Sequence, residues 1–476
     1  MPDWLVMRLP MITTALFVLA VGACVGSLIN VLVYRLPRGL DVVTPTSRCP
    51  SCGTKLTWRE NIPILGWLLL RGRCRFCQSK ISAEYPIVEA IVALLFVAIF
   101  ALWYMVPSHA TLMGVPIGAI APEWAANGAG RTWPAFVVLA MLMASLVAMT
   151  IIDARTCTIP LVLTWAPALT ALVFHTGHAV WFDLRFAPLT QSLPGMWRSG
   201  AERMTWLTAT GEVWTIATGG QGGWKFIGWG LGGIAGLGVS IAMMSKGLLR
   251  RSFADYEAWE KDALLAAETD AASQRPSSPA DPAGSDEPTS DDHPAHMWIQ
   301  YPHARREMVL ELAFLAPPVV GALAGGWVAE RVVSAFAGPW IVGEQGLIAP
   351  VLAPLWLTVL GAVCMGYLIG GGLVWAVRIF GTLLFGKEAM GLGDVHLMAA
   401  VGACLGWIDP TIAFFLAAFV GVGWAVLARV VGGTLNRAMP YGPFLAIATL
   451  LVVLGKPLIE LGLGRLLSLG VPFDLP

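Results

Sequence analysis

Met11-Ile-Thr-Thr-Ala-Leu-Phe-Val-Leu-Ala-Val-Gly-Ala-Cys-Val-Gly-Ser-Leu-Ile-Asn-Val-Leu-Val-Tyr34 runs from 11 to 34 without one charged side chain. The hydrocarbon core of a bilayer takes about 20 apolar residues in a helix, so this stretch spells a membrane span. Runs of the same kind recur at 86–106, 134–152, 159–178, 226–248, 308–336, 350–377, 394–408, 411–429 and 441–457. The expected fold is therefore all-α, a polytopic transmembrane helix bundle of about ten spans, with eight to ten compatible with the pattern. The eighth run is short and contains glycine, which predicts a tilted or partly unwound element. The first run lacks a basic leader region and a small-residue cleavage site, so it reads as a retained span. Across 476 residues, 57% of side chains are hydrophobic, 13% are charged and the mean hydropathy is +0.70. Ordinary soluble domains hold about 45–50% and about 25%, and are excluded.

The 30 basic residues balance 30 acidic ones. No global field favours nucleic acid, and the expected surroundings are a lipid bilayer. The distribution is more telling than the sum. With the N-terminus outside, ten alternating spans put 35–85, 153–158, 249–307, 378–393 and 430–440 on the cytoplasmic side, and 21 of the 30 Lys and Arg fall in or, for Lys246 and Arg429, at the border of these segments. That excess follows the positive-inside rule, most clearly in 35–85, with nine basic against three acidic residues.

The chain divides into a first span (1–34), a hydrophilic loop (35–85), spans at 86–178, a Trp-, Thr- and Gly-rich outer loop (179–225), a span at 226–248, an acidic loop (249–307) and C-terminal spans (308–476). Within the acidic loop, the run Gln274 to Pro294 is dominated by Pro, Ser, Asp and Ala. Such a composition predicts disorder, after a short helix from Ala254 to Thr269. His293, His296 and His303 read as exposed, solvated side chains.

Cys49-Pro-Ser-Cys52 and Cys74-Arg-Phe-Cys77 are two Cys-x-x-Cys pairs separated by 21 residues. Two such knuckles bring four thiolates into a tetrahedron suited to zinc, and a closed four-thiolate site makes the metal structural rather than catalytic. Cys24, Cys157, Cys364 and Cys404 share no spacing and read as small buried hydrophobes.

Ionisable residues at the ends of hydrophobic spans are costly and mark candidate sites. Asp153 closes the third span, and Asp394 opens the eighth in Gly391-Leu-Gly-Asp-Val-His396. The topology gives both the same cytoplasmic depth. Paired carboxylates that share one proton activate water and polarise a scissile carbonyl. Gly391 and Gly393 suit the close approach of a substrate backbone. Helix ends assign Asp394, near an N-terminus, as the anion and Asp153, near a C-terminus, as the neutral acid. Taken alone, Asp153 also reads as a loop carboxylate paired with Arg155.

The combination resembles the prepilin peptidases, membrane aspartic proteases of the Gly-x-Gly-Asp type. The resembling residues are Gly26 to Pro37, Cys49 to Gly53, Asn61 to Trp67, Gly72 to Cys77, Ile81 to Glu89, Asp153 with Ile159-Pro160, Gly391 to Asp394 with Leu405-Gly-Trp407, and Pro440-Tyr-Gly-Pro443. The resemblance implies a multi-pass protein of the bacterial cytoplasmic (inner) membrane with its active site near the cytoplasmic face. It implies Asp153 and Asp394 as the catalytic pair, supported by Gly391, Gly393 and His396, and Cys49, Cys52, Cys74 and Cys77 as zinc ligands. The implied substrates are type IV prepilins or type II secretion pseudopilins, with a basic leader before a hydrophobic helix. A second implied activity is N-methylation of the new amino terminus from S-adenosylmethionine, whose contacts are assigned to no residue.

The chain departs from the family in His396, where Lys is frequent, in Leu161, where an acidic residue is frequent, and in its additional length between about 180 and 350. His396 also reads as a helix-surface residue without a catalytic part. Ser27, Asn30, Arg35, Glu84 and Glu89 are expected to pack, anchor loops or serve helix ends, with a methyl-donor contact by the two glutamates as the alternative. Two other functions fit parts of the pattern: an intramembrane aspartic protease of presenilin type, and a non-catalytic membrane assembly component whose zinc loop docks a partner.

Overall fold

The computed structural model describes residues 3–192, 224–266, 301–336, 354–431 and 440–466 and the pairs 341–342 and 348–349, apart from positions 45, 46, 115, 123, 124, 126, 127, 257, 260, 264 and 387. Its helices are α1 (Asp3–Arg35), a short α2 (Leu65–Leu69), α3 (Glu84–Tyr104), α4 (Ala129–Thr156), α5 (Leu161–Ser192), α6 (Trp224–Ser245), α7 (Ala304–Phe336), α8 (Leu355–Phe385), α9 (Leu392–Leu405), α10 (Ile408–Val430) and α11 (Gly442–Leu466). Ile341–Val342 and Ile348–Ala349 pair antiparallel between α7 and α8.

Every apolar run expected to span is a helix. Among the described residues, eight are long and apolar enough to cross a membrane: α1, α3, α4, α6, α7, α8, α10 and α11. The other two runs are α5, which carries His175 and His178, and the short α9. Boundaries moved. Helix α4 starts before 134, α8 starts at Leu355 and reaches Phe385, and α5 continues through 179–192, which the sequence pattern had assigned to an outer loop.

Helix α9 decides the shape of the bundle. Its 14 residues rise about 21 Å at 1.5 Å each, short of a hydrocarbon core of about 30 Å. It is a continuous helix, neither unwound nor lipid-facing. From Asp394 to Cys404 every residue but His396 is buried, with α4, α5, α8, α10 and α11 around it. Leu397, Met398, Leu142, Met149, Ile152 and Leu445 are almost fully buried in the core that surrounds it. A helix wrapped by protein needs no length to match the bilayer, so its N-terminus lies inside the bundle.

Two subsidiary packings frame this centre. Helix α1 lies against α3, where a Cβ on Gly26 would stand 2.6 Å from the Glu89 Cα, so only glycine lets the backbones approach there. Helices α6 and α7 form a tight pair that leans on α8. Large apolar side chains stay exposed on outward faces, among them Val320, Leu323 and Trp327 of α7 and Phe415, Phe419 and Val422 of α10, as lipid contact requires.

Residues Tyr256, Ala258, Trp259 and Lys261 to Ala263 are helical, within the expected helix of the acidic loop. The run Gln274 to Pro294, with His293, and His296 lie outside the described residues, as do 193–223 of the outer loop. His303 is exposed, edge-on to Tyr301 at 5.6 Å.

Candidate functional site

The loop after α1 folds into two matching turns. The Cys49 N–H donates to Thr54 O and the Cys74 N–H to Ser79 O, both at 2.9 Å, and single bridges Arg48–Lys55 and Arg73–Lys80 close each turn. Gly53 (φ 68°) and Gln78 (φ 58°) occupy equivalent left-handed positions. The four Sγ atoms lie within 4.8 Å of one another, with Cys49 to Cys77 at 3.8 Å and Cys52 to Cys74 at 3.9 Å. Four sulfurs at about 2.3 Å from a central zinc would be about 3.8 Å apart, so the donor set fits that ion.

The thiols are prepared unequally. Backbone N–H groups of Cys52 and Ser51, with the Ser79 hydroxyl, pull Cys49 down to about 6, against burial. The Ser79 hydroxyl and N–H lower Cys77, whereas Cys74 rises although the N–H groups of Cys77 and Phe76 oppose burial and the neighbouring thiols.

Four of the residues expected to anchor the loop, Asn30, Arg35, Glu84 and Glu89, tie it to the bundle. Asn30 donates to Tyr85 O at 3.1 Å and Arg35 to the carbonyls of Asp41 and Val42, while Trp67 Nε1, donating to Ile81 O, holds the loop to itself. Buried Glu89 accepts the Ile64 N–H at 2.6 Å, holding Ile64 at φ 62°. Glu84 pairs with Arg155, so the cation two residues past Asp153 belongs to the loop and not to Asp153.

Asp153 and Asp394 line one cleft of about 610 Å³, together with Cys157, Thr158, Ile159, Gly391, Leu392, Gly393 and Tyr441. Both carboxylates are at most 8% exposed. Asp394 sits in the first turn of α9 and Asp153 in the last turn of α4. The walls come from 153–159, 251–256, 378–394 and 441, and Arg155 joins the cysteine loop to the same end, so the segments expected on one side of the membrane do meet at one end of the bundle. Gly393 packs on Ile159, where a Cβ would approach to 2.9 Å. His396 is half-buried on α9 and is not among the residues lining the cleft. Cys364 and Cys404 are buried as expected; Cys24 and Cys157 are exposed, and Cys157, at φ 50° after α4, faces the cleft. A helix end facing an open cleft cannot bury its last side chain.

One contact bears on the roles of the two carboxylates. The Gly442 N–H, the first of α11, donates to Asp153 Oδ2 at 3.1 Å, and a Cβ on Gly442 would stand 2.5 Å from that oxygen. Asp153 thus ends its own helix but meets the N-terminus of another, so helix ends no longer separate the two carboxylates. Sequence reasoning flagged Pro440-Tyr-Gly-Pro443 without a role for its glycine. It also missed Arg378, which is fully buried in α8 and pairs with Glu311 at 2.8 Å and with Glu388, while donating to Met390 O just before Gly391. A lone arginine inside an apolar helix was the available signal.

A polytopic helical membrane protein with a buried carboxylate pair at one end and a four-thiolate turn beside it is the class these features define. Two segments of the chain match models from known peptidase families: residues 20–103 match the bacterial peptidase A24 N-terminal domain, and 339–426 match the type IV leader peptidase family. The cysteines lie in the first and Asp394 in the second; Asp153 lies in neither. The chain is similar to the prepilin leader peptidase/N-methyltransferase of Myxococcus xanthus, 52% identical over 18% of this chain and 25% of that protein. The Vibrio cholerae protein of that name is 46% identical over 14% and 30%, and that of Pectobacterium carotovorum 30% identical over 32% and 53%. The matched stretches thus span between a quarter and about half of these relatives' lengths. No solved structure matches the chain.

Proposed function

We propose that this chain is a membrane aspartic endopeptidase that removes the basic leader from type IV prepilins or type II secretion pseudopilins at the cytoplasmic face of a bacterial inner membrane. The observation that carries the reading is the shared cleft of Asp153 and Asp394 at the end of the bundle that also bears the basic cysteine loop. A cut at the membrane boundary needs acids at that boundary, reached by water from the same side.

In the reaction, one carboxylate takes a proton from water as the oxygen bonds to the scissile carbonyl carbon, and the other carboxyl gives its proton to the carbonyl oxygen. Collapse of the tetrahedral species breaks the C–N bond as the carboxyl that took the water proton gives it to the leaving nitrogen and the other carboxylate recovers its proton from a hydroxyl of that species. The Gly442 N–H keeps Asp153 Oδ2 from turning away. Gly391, which lines the cleft without a side chain, leaves room for the peptide backbone. Cys49, Cys52, Cys74 and Cys77 would hold zinc, which supplies a structural cross-link for the loop.

N-methylation of the new amino terminus is the second activity we assign, on the names of the relatives. S-adenosylmethionine would supply the methyl group. Glu89 and Glu84, engaged by Ile64 and Arg155, serve as anchors of the loop rather than as its contacts.

Asp153→Asn and Asp394→Asn, each alone, test the peptidase. Each should lower cleavage of a prepilin-like substrate in detergent or liposomes by about 10²- to 10⁴-fold. Cleavage at the wild-type rate by either variant refutes the aspartate-pair mechanism, and no cleavage by the wild-type chain leaves the non-catalytic assembly role.

A further inference from the structure

Five residues lining the cleft, Arg251, Ser252, Phe253, Ala254 and Tyr256, come from the segment between α6 and α7. That segment lies outside both family matches. A plain connector would run over the surface with its backbone turned to water. This one is anchored at depth. The Ser252 hydroxyl donates to Glu311 Oε1 at 3.0 Å and the Phe253 N–H to Glu307 Oε2 at 2.7 Å, and both glutamates are 2% exposed. The Phe253 ring lies 5.0 Å from the guanidinium of Arg378, the residue that also holds the Met390 carbonyl at the entrance to Gly391-Leu-Gly-Asp394. On the far side, the Tyr301 N–H donates to Gly386 O and its hydroxyl to Asp255, both at 2.8 Å.

Phe253 itself is at φ 54°, a conformation costly for a non-glycine residue and kept only where its surroundings over-determine it. The surroundings here are two buried carboxylates that bond the turn and a buried cation under its ring, which together present it to the carboxylate cleft.

We propose that the 251–254 turn is a specificity-determining wall of the catalytic cleft, in which Phe253 and Ala254 set the size of the peptide side chain admitted beside Asp153 and Asp394. The inference rests on the peptidase reading above. The turn takes its place by docking on Arg378, and Arg378 fixes the loop that delivers Asp394, so wall and acid share one support. The ligand it reads is a side chain of an extended peptide, and the property read is bulk.

The test uses the full chain in liposomes and leader-peptide substrates that differ only in the size of one side chain within two positions of the cleavage point. Phe253→Gly removes the ring at a φ that glycine adopts freely, so the variant relieves backbone strain while widening the cleft. Ala254→Leu adds bulk at an exposed position that takes no part in the anchoring bonds. The ratio of kcat/KM for the largest side chain over the smallest should rise about tenfold in the first variant and fall about tenfold in the second, the scale on which a pocket discriminates one or a few methylenes. A ratio that stays fixed in Ala254→Leu while both substrates slow together overturns the wall and leaves the peptidase standing. No cleavage of any substrate by the wild-type chain overturns the peptidase reading and the wall with it.

Discussion

The four cysteines stand between residues 49 and 77 and meet through two turns, each closed by backbone hydrogen bonds to and from its first cysteine. Asp153 and Asp394 meet only because α4, α9 and α11 pack around a common core, and the oxygen of one is held by a backbone amide from the third of these helices. The first site carries its own scaffold. The second is a property of the bundle. A locally built site should be separable from the rest, whereas a site made by packing should register small changes made far away in sequence.

The largest effect on turnover, short of removing an aspartate, is expected at Gly442. Gly442→Ala puts a methyl where Asp153 Oδ2 stands, 2.5 Å away, and must turn the carboxylate. A misplacement of about 1 Å costs on the order of 10²-fold in rate. We expect kcat to fall by about that factor while KM and zinc content hold; an unchanged kcat would show that Asp153 tolerates being moved.

Next come the cysteines. Cys49→Ser or Cys77→Ser should abolish zinc binding, seen by metal analysis of the purified protein, and raise amide exchange across 47–80, while the peptidase rate stays within about threefold because a four-thiolate zinc would be structural. If leader cleavage falls in step with zinc, the two sites are not separable.

A smaller effect follows from acid. Thr57, through its N–H and hydroxyl, and then Arg75 hold the Glu60 carboxyl below its ordinary 4.5. A folded value below the unfolded one gives stability that is present above about 4.5 and is lost as pH falls through the lowered folded value. Amide exchange in 57–75 should therefore rise only in that acid window, and Glu60→Gln should flatten the response. An equal rise in the variant would assign the acid sensitivity to another group.

The smallest effect belongs to the bond between the two regions. Arg155 and Glu84 are each about half exposed, and exposed pairs contribute about 0.2–1 kcal/mol. A double-mutant cycle on thermal unfolding should return a coupling in that range. A coupling well above it would mean that the loop and α4 form one cooperative unit.

The contrast also explains what could be read in advance. Spans were legible because bilayer physics writes them as uninterrupted apolar runs, and the cysteine site because its ligands are close in sequence. The two aspartates were legible as charges at a common depth. Gly442 was not, because it acts through a main-chain N–H, which no side-chain pattern announces; Pro440-Tyr-Gly-Pro443 stood out only as part of the family resemblance. The turn at 251–256 was hidden for another reason. Its segment reads as an acidic connector, and its anchors Glu307, Glu311 and Arg378 are distant residues whose pairing only the packing of α7 on α8 creates. The length of α9 misled in a third way, since an element too short for the membrane was expected to be tilted or partly unwound, and in place of unwinding it is a continuous helix sheathed by neighbours.

That sheath has a consequence for the surrounding lipid. Long spans answer a thicker or thinner bilayer by tilting or by deforming it, at a fraction of a kcal/mol per ångström of mismatch. Helix α9 has almost no lipid contact through which to answer, and its N-terminal carboxylate takes its depth from the side chains of α4, α5 and α8. Acyl chain length should therefore act on how a membrane-inserted partner seats against the outer helices, and leave the spacing of the two acids as it is.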